Sequence, residues 1–288
     1  MLVARFFLKP TLVWTLAITA VVSHTDAASC VWKVTGPNGG TLYLGGSIHA
    51  LRSTDYPLPS AYNRAFDASS RLVFEADPKT SSTGFRDFVK AGQYPKGDSL
   101  KNHVDPRTYE YLRHFFALAK VPEEKFMTFR PWFIEVLLEM PPPQYFRLGV
   151  EAFLIRRARA NSKPISGLES MREHMEIFSG LNDRESEALL LLLFINAGHK
   201  SDGAIKVVDA WRNGDVDTIA RLDRESFRDL PAMFEREVSV RNQNWIPKIE
   251  SYLHSGQTYF VVAGAGHMGG SEGVVSLLRA RGYKVEQL

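Results

Sequence analysis

The sequence predicts an α/β fold: a central mixed, largely parallel sheet built from β-α-β units at the N- and C-terminal ends, with a large helical insertion between them. Three observations carry this prediction. Two short apolar, β-rich runs, one toward each end, finish in the same Gly-x-x-His unit: Gly46-Ser-Ile-His49 and Gly264-Ala-Gly-His267. Each run is followed by a polar loop, a helical stretch and another short apolar run, the order that a strand, a crossover and a parallel strand require. Between the two units, residues 84–256 read mainly as helix by apolar periodicity.

Taken in order, the first segment is a leader. Arg5 and Lys9 precede an apolar stretch, Leu12 to Val22, that is too short and too closely followed by polar residues to span a bilayer. Small residues at Ala27, Ala28 and Ser29 offer a cleavage point, so residues 1–29 read as a signal peptide and the remainder as exported, in the periplasm. Cys30 is the sole cysteine, which rules out an intramolecular disulfide. Its place at the junction leaves an alternative in which the chain is anchored to a membrane through a lipidated Cys30. Residues 30–288 show no break in composition and read as a single domain. The formal charge is only +3, which gives no reason to expect a nucleic-acid partner.

Val31 to Val34 and Thr41 to Gly45 read as strands joined by the Pro37-Asn38-Gly39-Gly40 turn. Pro59 opens a helix that runs to Ala68. Arg71 to Ala76 is the next strand, expected beside the His49 strand through a right-handed crossover. Asp105-Pro106 starts a helix, with Asp as N-cap and Pro in the first turn. Pro164 to Glu169 can form one more central strand, and the apolar run Leu189 to Ile195 reads as a buried helix. At the C-terminus, Gln257 to Ala263 is a strand, Gly270 to Arg281 a helix and Tyr283 to Glu286 a final strand.

The chemistry follows from what these strand ends carry. Neighbouring parallel strands open onto one crevice, so His49 and His267 are expected to share a site. Glu75 ends the third strand, where an unpaired carboxylate costs several kcal/mol to bury. Two imidazoles and a carboxylate suit a divalent metal such as Mn, Co, Zn or Fe, with His49, Glu75 and His267 as ligands. Without a metal, the trio could act as a His general base oriented by Glu. A plainer reading leaves the glycines to turn the chain and Glu75 to pair with an arginine. Arg241 is a catalytic candidate, to stabilise an oxyanion or orient Glu75; Asn242 beside it and Glu169 after Gly167 are candidates for substrate binding. His199 reads as a helix C-cap, and His103, His114, His174 and His254 receive no role. No Gly-x-Ser-x-Gly, His-Glu-x-x-His or phosphate-loop motif occurs.

Tyr43 to His49, Leu72 to Glu75, Pro131-Trp132, Lys163 to Glu169, Arg241-Asn242, Val262 to His267 and the closing Leu277 to Val285 together carry a resemblance. At these residues the chain resembles the TraB/GumN family, relatives of the animal Tiki metalloproteases and more distantly of erythromycin esterase and ChaN-like proteins. The resemblance implies an α/β fold with a helical insertion and an active site made of both Gly-x-x-His motifs and the Glu. By the Tiki relation it implies a metal-dependent peptidase with His49, Glu75 and His267 as ligand or catalytic positions. The leading expectation is an exported metal-dependent hydrolase acting on a peptide or other small substrate. The alternatives are a non-catalytic binder of peptide or haem and a metal-independent esterase.

Overall fold

The computed structural model describes residues 28–77, 81–196 and 200–288. The segment up to residue 27, read from the sequence as a leader, and His199 lie outside the described residues.

Strand β1 (Val31–Thr35) pairs antiparallel with β2 (Thr41–Ser47), and Gly39 takes the positive φ of 80° that their tight turn requires. Helix α1 (Ser60–Ala68) leads into β3 (Arg71–Ala76). The helical stretch begins with α2 (Ser81–Ala91) and α3 (Pro106–Leu118), whose Asp105 N-cap accepts from Arg107 N at 2.8 Å as the sequence predicts. It continues through α4 (Pro131–Glu139), the single turn α5 (Pro143–Phe146) and α6 (Val150–Ala160) to β4 (Ile165–Glu169). Helices α7 (Met171–Ser179), α8 (Asp183–Asn196), α9 (Lys200–Arg212), α10 (Val216–Ser226), α11 (Pro231–Phe234) and α12 (Val240–Leu253) follow. The chain closes with β5 (Tyr259–Gly264), α13 (Val274–Ala280) and β6 (Lys284–Gln287).

The strands form one sheet in the order β4-β3-β5-β2-β1-β6. Strands β4, β3, β5 and β2 run parallel, so their carboxyl ends share one edge. This is the α/β architecture with a helical insertion that the sequence predicts. Two placements differ. Strand β3 does not lie against β2; β5 enters between them and pairs with both. An apolar run buried on both faces has no preference for an edge, so the C-terminal strand takes the central slot. Strand β4 is therefore an edge strand, not a central one.

Phe260, Val261, Val262 and Ala263 of β5 are successive and each at most 1% exposed, so both faces of the sheet are covered. Helices α1, α6, α9, α10, α12 and α13 contribute to the core around it. At roughly 1.5–3 kcal/mol for a fully buried large apolar side chain, this layer dominates stability. Gly45 allows β2 to close on β5, because a Cβ there would lie 2.7 Å from the Phe260 ring. A second, aromatic-rich cluster joins α2, α4, α7, α8 and α11. Leu189, Leu190, Leu192 and Leu193 of α8 are buried as predicted, whereas Ile195 is exposed. Among the described residues no helix is long and apolar enough to cross a membrane.

Candidate active site and its arginine-centred network

The first Gly-x-x-His unit is fixed from behind. The carbonyl of Gly46 accepts from Trp211 Nε1 at 2.9 Å and from the Tyr62 hydroxyl, both fully buried. Beyond this clamp the chain leaves the sheet at Ser47 and presents His49. Gly149 lets the start of α6 approach closely, since a Cβ there would overlap the His49 carbonyl. Glu151 is thereby delivered to the histidine: its Oε1 accepts from His49 Nδ1 at 2.8 Å and from Ser47 Oγ at 2.5 Å. The charge of Glu151 raises His49 to about 9. The His49 side chain is 64% exposed and lines a recess.

The second unit is held from the side. Asn242, on α12, donates through Nδ2 to the carbonyls of His267 (3.3 Å) and Glu272 (2.8 Å), which fixes its Oδ1 as an acceptor. That oxygen faces His267 Nδ1 at 2.8 Å, so Nδ1 carries the proton and Nε2 keeps a lone pair. Burial, aided by the neighbouring Arg241 charge, lowers His267 to about 4, so the ring is neutral at pH 7. Its face packs on Trp245, with ring centroids 4.6 Å apart.

Arg241 binds the remaining parts together. A π-helical turn, Glu235–Ser239, precedes α12, and Arg241 Nη1 donates back to the Glu237 carbonyl at 2.9 Å. The other donors reach Glu169 (Nε 3.2 Å, Nη2 2.7 Å), Glu75 Oε2 (Nη2 2.6 Å) and the lone pair of His267 Nε2 (Nη1 3.1 Å). All five N–H groups of the guanidinium are thus engaged. Glu75 Oε1 accepts from Gly264 N at 2.6 Å and lies 3.8 Å from His267 Nε2. Burial alone would raise Glu75, but the fields of His267 and Arg241 outweigh it and hold the carboxyl well below the usual range. Arg241 decides this at neutral pH, because its charge is permanent while His267 is uncharged. Glu169 is held low in the same way: burial is outweighed by hydrogen bonds from His174 and Arg241.

The sequence-predicted residues therefore divide. Glu75, His267, Arg241, Asn242 and Glu169 meet in one network, while His49 stands apart on Glu151. Arg241 orients Glu75 and has no donor left for an oxyanion. Asn242, fully buried, holds His267, and Glu169, 8% exposed, is bound to Arg241 and Trp245, so neither faces open substrate space.

The donor set was tested against the metal that the sequence reading implies. Among the described residues, ligand atoms of Glu75, Glu169 and His174 all lie within 4.8 Å of one another. Carboxylate and imidazole donors at this spacing suit a divalent ion, but Arg241 Nη2 already lies among them, 2.6 Å from Glu75 Oε2, 2.7 Å from Glu169 Oε1 and 3.2 Å from His174 Nδ1, so an ion enters only where the guanidinium gives way. The 3.8 Å between Glu75 Oε1 and His267 Nε2 is also within the roughly 4.2 Å that two ligands at about 2.1 Å from one ion can span. His49 does not join this group.

With this geometry in view, comparison with known proteins is informative. The sequence profile of the TraB/PrgY/gumN family matches residues 30–287. The chain belongs to the TraB/PrgY/gumN family. It is similar to an uncharacterized protein of Treponema pallidum (strain Nichols), 24% identical over 92% of this chain and 84% of the relative. The uncharacterized protein YbaP of Escherichia coli (strain K12) is 23% identical over 85% of this chain and 90% of the relative. Metalloprotease TIKI2 of Danio rerio is 23% identical over 92% of this chain and 62% of the relative. No solved structure matches.

Several residues of this TraB/PrgY/gumN member were not legible as functional in the sequence. His174 was assigned no role, yet its Nδ1 lies 2.7 Å from Glu169 Oε1. The available signal was its position in the first turns of a helix directly after a strand ending in Glu. Glu151 shows only as an acid near a helix start, an ordinary N-terminal feature. Glu237 and Asp223 carry no sequence signal at all. Cys30 is fully buried, and its thiol donates to the Trp211 carbonyl at 3.2 Å.

Proposed function

We propose that this chain is an exported metal-dependent hydrolase, most simply a peptidase, with its reaction centre at Glu75, His267 and Arg241. The observation that carries the proposal is the pairing of Glu75 and His267 at 3.8 Å on the carboxyl edge of the sheet, with Glu169 and His174 adjoining. The likeness to a relative named as a metalloprotease supports it. Glu75, Glu169 and His174, with His267 alongside, would hold the ion. A divalent ion there supplies Lewis acidity and a more acidic bound water.

The chain's own residues have separable tasks. Arg241 keeps Glu75 and Glu169 ionised and in place. Asn242 fixes the tautomer of His267 and turns its Nε2 lone pair toward Arg241 Nη1 and Glu75. A recess of about 820 Å³, lined in part by His49 and Glu237, adjoins the network and is of a size that holds a small ligand or peptide segment. His49, charged and supported by Glu151, offers a cation to a carbonyl or carboxylate of whatever enters. Export rests on the leader reading of residues 1–29.

One observation favours a metal-independent esterase as a second reading: every donor of Arg241 and both oxygens of Glu75 are satisfied without an ion. One experiment separates the two. The exported protein is analysed for bound metal and for peptide and ester turnover, with and without chelator, beside Glu75→Gln and His267→Ala. Stoichiometric metal in the wild type, lost in Glu75→Gln, with chelator-sensitive peptide cleavage, supports the proposal. Chelator-insensitive ester cleavage that still needs His267 moves the assignment to the esterase, and no turnover of any peptide or ester overturns both.

A further inference from the structure

The recess beside the candidate centre has a lining that the reaction as proposed does not require. One wall is apolar, formed by Val136, Leu189, Leu192, Val207, Leu222 and Phe227. Met140, Phe178 and Leu193 extend it, and five acids also line the recess: Glu135 and Glu139, which have partners of their own, and Asp223, Glu225 and Glu237. Among the described lining residues there is no Lys or Arg, and the single histidine, His49, is already paired with Glu151. The chain as a whole carries a formal +3, so this concentration of negative charge is local. Glu225 is paired with Arg221 at 2.8 Å. Asp223 and Glu237 differ: among the described residues neither carboxylate has a hydrogen-bond or ion-pair partner. Asp223 is packed against Gly266, inside the second Gly-x-x-His unit, and the Glu237 carbonyl accepts from Arg241. Both therefore stand where the recess meets the centre.

We propose that this recess selects a peptide segment that places one basic side chain among apolar residues, the base seated between Asp223 and Glu237. Half-buried carboxylates without partners are destabilising unless an occupant supplies the counter-charge. Burial raises Asp223 to about 6 and, against the opposing charge of Arg241, Glu237 to about 7; a cation seated between them would draw both back to the ionised form. The apolar wall takes the neighbouring side chains, and the stem of Lys or Arg lies along it while its head reaches the acids. This inference rests on the hydrolase reading only for cleavage; the selectivity it assigns to the recess is a property of binding.

The test uses three apolar hexapeptides that differ at one central residue, Lys, Gln or Glu. Binding to the full chain is read by fluorescence anisotropy with chelator present, and cleavage by mass spectrometry with Mn or Zn added. The Lys peptide is expected to bind about tenfold tighter than the Glu peptide, a factor equivalent to about 1.4 kcal/mol. The Lys-to-Glu ratio should approach one in Asp223→Asn/Glu237→Gln, and fall part-way in each single variant if the double variant does not fold. Equal binding of the three peptides, or a ratio that persists in the folded double variant, overturns the inference. So does loss of the ratio on adding Ca or Mg alone, which would mark a cation site. Charge-selective binding without cleavage upholds the recess and rejects the hydrolase; cleavage without charge selection does the reverse.

Discussion

Removing the guanidinium at the centre of the network is the most direct perturbation. Arg241→Met keeps most of the apolar stem packed near Trp245 and deletes the one charge that touches both Glu75 and Glu169. These carboxylates have side chains only 13% and 8% exposed, so water cannot replace the lost donors. Breaking a buried ion pair by removing one partner costs about 3–5 kcal/mol, and here two acids are orphaned, so a loss of about 4 kcal/mol at pH 7 is a conservative expectation. With an m-value near 3 kcal/mol/M, that moves the urea midpoint down by about 1.3 M. The pH dependence adds a sign. In the wild type both acids are held below their unfolded value of about 4.3, so they stabilise above that pH and the contribution fades as pH falls through the folded values. In the variant only the hydrogen bonds from His174, Trp245 and Gly264 oppose burial, so both acids move upward from their wild-type positions and protonation relieves part of the penalty. The gap between the two proteins should therefore be widest at pH 7 and narrow toward pH 4. Urea titrations at both pH values decide it: a loss below about 1 kcal/mol at pH 7, or a gap that does not narrow in acid, would falsify the arginine-centred account.

Four further outcomes follow from the same geometry. In an NMR titration the two Gly-x-x-His histidines should separate widely, His49 near 9 and His267 near 4. The His49–Glu151 contribution is then complete below the unfolded His value of about 6.5 and lost as pH rises through 9, whereas His267 favours the unfolded state as pH drops from 6.5 toward 4; a shared midpoint refutes both assignments. Asn242→Leu strands the His267 Nδ1–H and the Glu272 carbonyl, so stability should fall by about 1–3 kcal/mol and any turnover by a larger factor; unchanged turnover would remove Asn242 from a positioning role. Gly149→Ala should push the start of α6 away from His49 and shift that histidine toward 6.5, read by the same titration. Cys30, raised to about 12 by burial, should resist thiol reagents in the native protein and react once urea unfolds it; fast native labelling would show the sulfur to be accessible.

The sequence predicted the strands well because each is a short β-rich run with clear turn punctuation. Asp105-Pro106 and Arg71 to Ala76 emerged at the predicted positions for local reasons: an N-cap side chain and a continuous apolar run. Strand order was different. Nothing local in Tyr259–Gly264 says that it enters between β2 and β3, because that is settled by which buried faces are left to cover. The same limit applies to the site. Glu75 and His267 could be singled out because a charged or ligating group at the end of a buried strand is unusual, and Arg241 as a group able to orient Glu75. Their connection through Arg241, which donates to both Glu75 and His267, could not, since it depends on a rotamer of Arg241 and a π-helical turn before it. Glu151 gives no signal because acids in first helical turns are common for reasons of helix polarity alone, and His174 gives none because only the fold brings it to Glu169.

The central place of β5 also sets an order of assembly. Residues 259–264 follow the whole helical stretch in the chain, yet without them β2 and β3 each present an unpaired edge across an empty slot. Until the C-terminal segment arrives, the earlier strands cannot close into a sheet and Glu75 has neither Gly264 nor His267 beside it. A chain in which β5 has yet to dock therefore exposes two open strand edges and has no assembled centre. Sheet and centre are completed in one step, when β5 enters between β2 and β3.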